Sequence, residues 1–196
     1  MPTIIKTLGY TNNTAQLMSV PPYIVACFMC ITGGYLADRM QTRGIFMMCF
    51  TLFSIAGLVI QIVSENHHVK YFGCFLFAMG IYPNVPQGLA WNGNNMGGTV
   101  KRGVGIAMHV GFGNLGGILA SFIYLSKYAP RFIKGHTILV GLLCMSFALQ
   151  TCMTVYYRRE NARRDAEYKA PEQYTAAEKT AERERGDSAS FFRYTV

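Results

Sequence analysis

The side chains in this sequence that could do chemistry are few, and most of them are neutral. His109 stands in a run of apolar and glycine residues, and no other ionisable side chain lies well inside a long apolar run. An imidazole can exchange a proton near neutral pH, and an ionisable group at membrane depth is a functional candidate by default. The alternative is a histidine bonded to a neighbouring carbonyl and wetted from the interface. Asn84, Gln87 and Trp91 follow one another at spacings of three and four, which on a helix turns two amides and an indole toward one side. Either they wall a ligand site together or they bond to neighbouring helices. Asn114 has the same two readings, ligand contact or bridge between helices. Cys27 and Cys30 form a Cys-x-x-Cys, but no His, Asp or second cysteine pair stands at ligand spacing, so they read as small hydrophobes. No metal or cofactor site is expected. No Ser/His/Asp set, His-x-x-x-His pair or glycine-rich phosphate loop points to an enzyme.

The elements that must position these groups are membrane helices. Charged residues are 14% of the 196 and hydrophobic ones 51%, with the charges crowded at the C-terminal end. From Arg158 onward lie nine of the eighteen Lys and Arg and eight of the ten Asp and Glu; residues 1–157 hold only Asp38 and Glu65 as acids. A soluble domain with so few charges would be hard to keep in solution. The bases sit in pairs at the ends of apolar runs rather than on one face, which argues against nucleic acid. A hydrocarbon core of about 30 Å takes about 20 helical residues. Five runs reach that length, at about 15–37, 45–64, 71–92, 104–125 and 137–157. The expected organisation is an all-α membrane protein. An extramembrane segment spans 1–14, without the charged start and apolar core of a signal peptide. Five transmembrane helices lie within 15–157, and a tail of mixed charge over 158–196 is helical near the membrane and partly disordered beyond.

Details along the chain refine this. Pro21 and Pro22 kink the first run or delay its start. The run at 45–64, broken only by Gln61, reads as facing lipid for much of its circumference. In the run at 71–92, Pro83 and Pro86 free backbone carbonyls that protein or a water-filled cavity must satisfy, so this segment reads as a cavity wall. The next run repeats Gly105, His109, Gly113, Gly117 and Ser121 at every fourth position. That places small residues, Gly113 and Gly117 among them, where another helix could approach closely. Lys and Arg are more numerous at the side bearing Arg39, Arg43, Lys101, Arg102 and the tail than at the side bearing Lys6, Lys70, Lys127, Arg131 and Lys134. This bias makes the 38–44 loop and the C-terminus cytoplasmic.

The polar loop at 33–44 carries the strongest family signal. Its Gly34-Tyr-Leu-Ala-Asp38-Arg39, with Arg43 four residues on, resembles the loop signature between the second and third helices of each half of major facilitator superfamily transporters. Met40-Gln41-Thr42 stands where a glycine is usual. Asn94-Asn95-Met-Gly-Gly-Thr-Val-Lys101-Arg102, Gly113-Asn114-Leu-Gly-Gly117, Tyr128-Ala-Pro-Arg131-Phe-Ile-Lys-Gly135-His136 and Arg159-Glu160-Asn161 are similar to the fungal anion:cation symporters, the allantoate and nicotinate permease group. The resemblance covers about 10–168 and matches the eighth to twelfth helices of a twelve-helix fold. It implies proton-coupled uptake of a small organic anion across the plasma membrane by alternating access, together with an N-terminal half that this chain lacks. It also implies a charge latch at Asp38, Arg39 and Arg43, for which the alternative is a solvated loop. A non-transporting membrane protein or truncated product, acting only by helix packing, is the competing expectation.

Overall fold

The structure, a computed structural model, describes residues 12–123 and 132–196. Residues 1–11 and 124–131, with Lys6, Lys127 and Arg131, lie outside the described residues. All long elements are helices: α1 (Asn12–Leu17), α2 (Val20–Met40), α3 (Arg43–Val63), α4 (His67–Asn94), α5 (Thr99–Ile123), α6 (Ile133–Glu167) and α7 (Ala176–Ala181), with 3₁₀ turns at Pro171–Gln173 and Arg183–Ser188.

Local chemistry sets their limits. Pro21 and Pro22 occupy the first turn of α2, where a missing N–H costs nothing because that donor has no intrahelical partner. Of the two effects expected of this pair, the structure realises the late start. The α2 C-terminus closes on Gln41 in the left-handed conformation, φ 53°, with its Nε2 donating to the Asp38 carbonyl at 2.7 Å. The position where a signature glycine is missing is thus the one where a glycine's conformational freedom would be used. Asn66 caps α4 by accepting from the His68 N–H at 3.0 Å. That helix then runs unbroken through Pro83 and Pro86, leaving the carbonyls four residues back, on Met79 and Tyr82, without helical donors.

Packing is centred on the α4–α3 pair: α4 also lies against α2, and α3 also lies against α6. Nine of the 21 residues of α3 are buried, in the stripe Met47, Phe50/Thr51, Ser54, Gly57/Leu58, Gln61 continued from Arg43 and Gly44. On the rest of the helix Leu52, Phe53, Val59 and Val63 are exposed, so a packing face stands beside the lipid-facing role expected for the run. Its apolar content measured transfer into lipid, but its small and polar residues are collected on one face and let neighbours approach. A Cβ on Gly57 would stand 2.5 Å from the Phe77 N and 2.7 Å from the Gly73 O, and one on Gly80 would stand 2.3 Å from the Phe50 O. The backbones of α3 and α4 are therefore nearly in contact. A Cβ on Gly113 or Gly117 would meet nothing within 4 Å, and Ile123 is the one buried residue of α5.

The outside is apolar: Phe28, Ile31, Phe112 and Phe122 are each about two-thirds exposed. Among the described residues, four helical stretches are long and apolar enough to cross a membrane, Asn13–Met40, Arg43–Val63, Thr99–Ile123 and Ile133–Glu167. With 28 residues α4 has the length as well, but its second half carries Asn84, Gln87, Asn92 and Asn94. An apolar exterior on an all-α bundle is that of a membrane protein.

Candidate functional site

A cavity of about 760 Å³ opens between α4, α5 and α6 and is floored by α3. Most of its wall is apolar, from Met47, Ile81, Val85, Leu89, Val110, Leu143, Leu149 and Met153. Its polar groups are Thr51, Asn84, Trp91, Asn92, His109, Asn114, Ser146, Gln150 and Tyr157. A mostly apolar hollow with a few convergent polar groups is the usual form of a small-molecule site.

The expected residues separate into those the fold gathers and those it does not. Asn84, Trp91, His109 and Asn114 all reach the cavity. Gln87 does not: it is 2% exposed, neither of its amide atoms has a hydrogen-bond partner among the described residues, and its Nε2 lies toward Gly33 of α2. The helical turn gives the reason. Seven residues return to within about 20° of the starting direction, so Asn84 and Trp91 share a face, whereas three residues fall about 60° short. Gly113 also lines the hollow.

Three helices are tied by one polar chain in the cavity floor. Asn84 Nδ2 donates to Thr51 Oγ1 at 3.1 Å, and the Thr51 hydroxyl reaches both Gln150 Oε1 at 3.1 Å and the Met47 carbonyl at 2.9 Å. Gln150 Nε2 then donates to Ser146 Oγ at 3.2 Å. Asn84 Oδ1 is left as a buried acceptor without a partner among the described residues. Sequence reasoning missed Thr51 and Gln150; the available signal was a lone amide in an apolar run, which in lipid must find a partner.

His109 is held by Asn92, another residue not singled out from sequence. The Asn92 amide nitrogen donates to the Gly105 carbonyl at 3.3 Å and lies 3.4 Å from His109 Nδ1. A carbonyl can only accept, so the nitrogen end of the amide must face this way. His109 Nδ1 is then the acceptor, and the ring proton sits on Nε2, on the side of Gly88. A buried imidazole is found instead at His136, expected in a loop but placed in the first turn of α6 at 3% exposure. Its Nδ1 is 2.8 Å from the Phe132 carbonyl and its Nε2 3.1 Å from Gln61 Oε1.

At the loop signature, Arg43 donates to Asp38. The guanidinium is buried and the carboxylate is 61% exposed. Arg39 is exposed and outside the pair, and a Cβ on Gly34 would meet nothing within 4 Å.

The tail, expected to be helical near the membrane and partly disordered beyond, starts as a continuation of α6. α6 continues to Glu167, and residues 186–196 return to the ends of α4 and α6. There Trp91 Nε1 donates to the Thr195 carbonyl at 2.8 Å, and Tyr194 stacks on Tyr157 with ring centroids 4.7 Å apart. Composition alone did not reveal this, because the anchoring groups lie a hundred residues away on α4.

Comparison with known proteins places the chain. The family model of the Major Facilitator Superfamily matches residues 1–192. The chain is 32% identical over 166 residues to the high-affinity nicotinic acid transporter of Saccharomyces cerevisiae, covering 85% of this chain and 31% of that one. It is 32% identical over 170 residues to the MFS-type transporter cnsO of Penicillium expansum, covering 84% and 33%. It is 30% identical over 173 residues to the major facilitator-type transporter hxnP of Emericella nidulans, covering 85% and 34%. The chain thus spans about a third of the length of these relatives. No solved structure matches it. An all-α membrane bundle around a small-molecule cavity, matched over nearly its whole length by that family model, belongs to the Major Facilitator Superfamily.

Proposed function

We propose that this chain is the C-terminal part of a proton-coupled transporter for a small organic anion, such as a carboxylate vitamin or nitrogen source. In this reading α2 to α6 are five membrane spans with the C-terminus in the cytoplasm, and the open side of the cavity is closed by an N-terminal bundle. That bundle would pack along the unoccupied Gly113 and Gly117 face of α5. Transport then proceeds by rocking of the two bundles around the cavity, with the Asp38–Arg43 pair holding the cytoplasmic ends of α2 and α3 together in one state. A chain with half the wall does not transport alone.

The observation that carries the reading is the Asn92–His109 contact in the cavity wall. Asn84, Trp91 and Asn114 supply neutral donors and an aromatic surface, and His109 supplies an imidazole, a base that can take up a proton. Protonation of Nδ1 would set a donor against the Asn92 amide, so the proton breaks the bond between α4 and α5 as it creates a cation facing an anionic cargo. Proton and anion then favour each other's binding, as symport requires. Nicotinate is the first cargo to test, since one relative is named for nicotinic acid.

The experiment is uptake of labelled nicotinate into proteoliposomes at several pH values. It compares this chain alone, a full-length version supplying the N-terminal bundle, and full-length His109→Gln and Asn92→Ala. Saturable uptake is expected only from the full-length protein, with the pH dependence abolished by His109→Gln and displaced by Asn92→Ala. An unchanged pH profile in His109→Gln would remove His109 from the proton path, and saturable uptake by this chain alone would overturn the need for a second bundle.

A further inference from the structure

The last residues of the chain make contacts of a kind that loose tails do not. Asn161 of α6 donates to the Tyr194 carbonyl at 2.7 Å and accepts from the Tyr194 N–H at 2.8 Å. Asn95, at the end of α4, does the same to the next residue, donating to the Thr195 carbonyl at 3.0 Å and accepting from its N–H at 2.7 Å. An asparagine amide that meets both groups of one residue copies the pairing of a β ladder. Successive residues of an extended strand turn their N–H and C=O groups to opposite sides. The two asparagines therefore grip a single strand from its two edges, one from each helix.

Side chains deepen the seat. Arg164 donates to the carbonyls of Asp187 at 2.8 Å and Phe192 at 3.1 Å, and its guanidinium lies 4.9 Å from the Tyr194 ring centroid. Lys101 pairs with Asp187 at 2.6 Å, and Arg193 with Asp165 at 2.7 Å. The α4–α5 turn is shaped to match: a Cβ on Gly97 would stand 2.0 Å from the Asp187 N, and Gly186 has φ 58°. Backbone, charge and ring contacts thus agree on one register.

We propose that the ends of α4 and α6 form a docking groove for a peptide segment, occupied by the chain's own residues 187–195, whose seating holds Trp91 and Tyr157 in the cavity wall. Both residues line the cavity, and both bear directly on the strand, through the Thr195 carbonyl and the Tyr194 ring. Seating and cavity shape are therefore linked, whatever the cargo. Leaving the groove would strip the indole N–H of its partner and uncover both rings at that end of the hollow.

Trp91 is the only tryptophan, so its fluorescence reads the seat without a label. The full chain in detergent micelles is compared with a chain ending at Gly186 and with a full-length Asn95→Ala/Asn161→Ala variant, each checked for helicity by circular dichroism. Trp91 is 8% exposed, and release of the strand should raise its acrylamide quenching constant about twofold or more as this end opens locally. A free peptide of residues 187–196, supplied at about the millimolar effective concentration of a short tether, should restore protection to the shortened chain; a scrambled peptide should not. If the shortened chain does not fold, the full-length double variant reads the same quantity. Quenching equal to wild type in the folded variants, or equal protection by the scrambled peptide, would overturn the proposal.

Discussion

Replacing Gly80 by Ala tests where this bundle is held together. The added Cβ would stand 2.3 Å from the Phe50 carbonyl oxygen and from Ser54 Oγ, and 2.6 Å from the Ser54 N, where ordinary contact begins near 3.4 Å. Two of these three neighbours are backbone atoms of α3, which cannot swing aside as a side chain would. The helices must part by about 1 Å, which forfeits a quarter to a half of the dispersion energy of the pairs along that contact. The cost belongs at or above the top of the usual overpacking range, about 3 kcal/mol. Ala gains about 1 kcal/mol over Gly in helix propensity, leaving a net loss of about 2 kcal/mol or more. Gly113, Gly117 and Gly141 have nothing within 4 Å of an added Cβ. The same substitution there keeps only the propensity gain, so stability should hold or rise by up to about 1 kcal/mol. The assay is loss of helicity in dodecyl sulfate titrations of the chain in mild detergent, one variant at a time. Gly80→Ala unfolding within about 0.5 kcal/mol of wild type, the scatter of unconstrained surface positions, would refute the close α3–α4 approach. A large loss in Gly117→Ala would show that α5 packs where the structure leaves it open.

Gln41→Gly should stabilise the chain by about 0.5 kcal/mol: the left-handed φ of 53° is relieved, at the loss of one side-chain bond to the Asp38 carbonyl. A fall in stability in the same titration would mean that the side-chain bond outweighs the strain. Asp38→Asn leaves the buried Arg43 without its carboxylate, but the carboxylate is exposed, so screening limits the expected loss to about 1 kcal/mol. Arg43→Ala, which also removes buried packing, should cost more, and the reverse order would argue against the burial seen at the α3 N-terminus. The docked tail should loosen in acid. Ser190 donates to Glu182 from its hydroxyl and its N–H and holds that carboxyl below its ordinary 4.5; burial raises Asp187, but the Lys101 bond outweighs it and leaves the group below 3.8. Carboxylates with lowered values stabilise the folded form above their ordinary range and stop doing so as pH falls through the lowered values. Trp91 quenching should therefore be flat at and above about pH 5 and rise below it, and release near neutral pH would contradict the assignment.

Residence in a membrane was legible from composition, because transfer from water to lipid is summed residue by residue and needs no knowledge of direction. Pro21 and Pro22 marked where α2 starts for a similarly local reason, and the second half of the 71–92 run was identifiable as a cavity wall from its polar residues and from Pro83 and Pro86. Direction was the missing quantity. Gln87 and Asn84 have the same chemistry, yet a rotation of about 60° puts one in the cavity and the other between α2 and α3. Gly57 and Gly80 each stand against the backbone of the facing helix while Gly113 and Gly117 face open space, and nothing about a glycine itself tells the two kinds apart. The central place of α3 beside α4 depends on which neighbours its small residues meet. The tail's place depends on Asn95 and Asn161, 66 residues apart in the chain, arriving on either side of one strand. Transfer free energies and turn chemistry are local, so the chain alone states them; facing, seating and enclosure are relations between helices, and only the packed structure decides them.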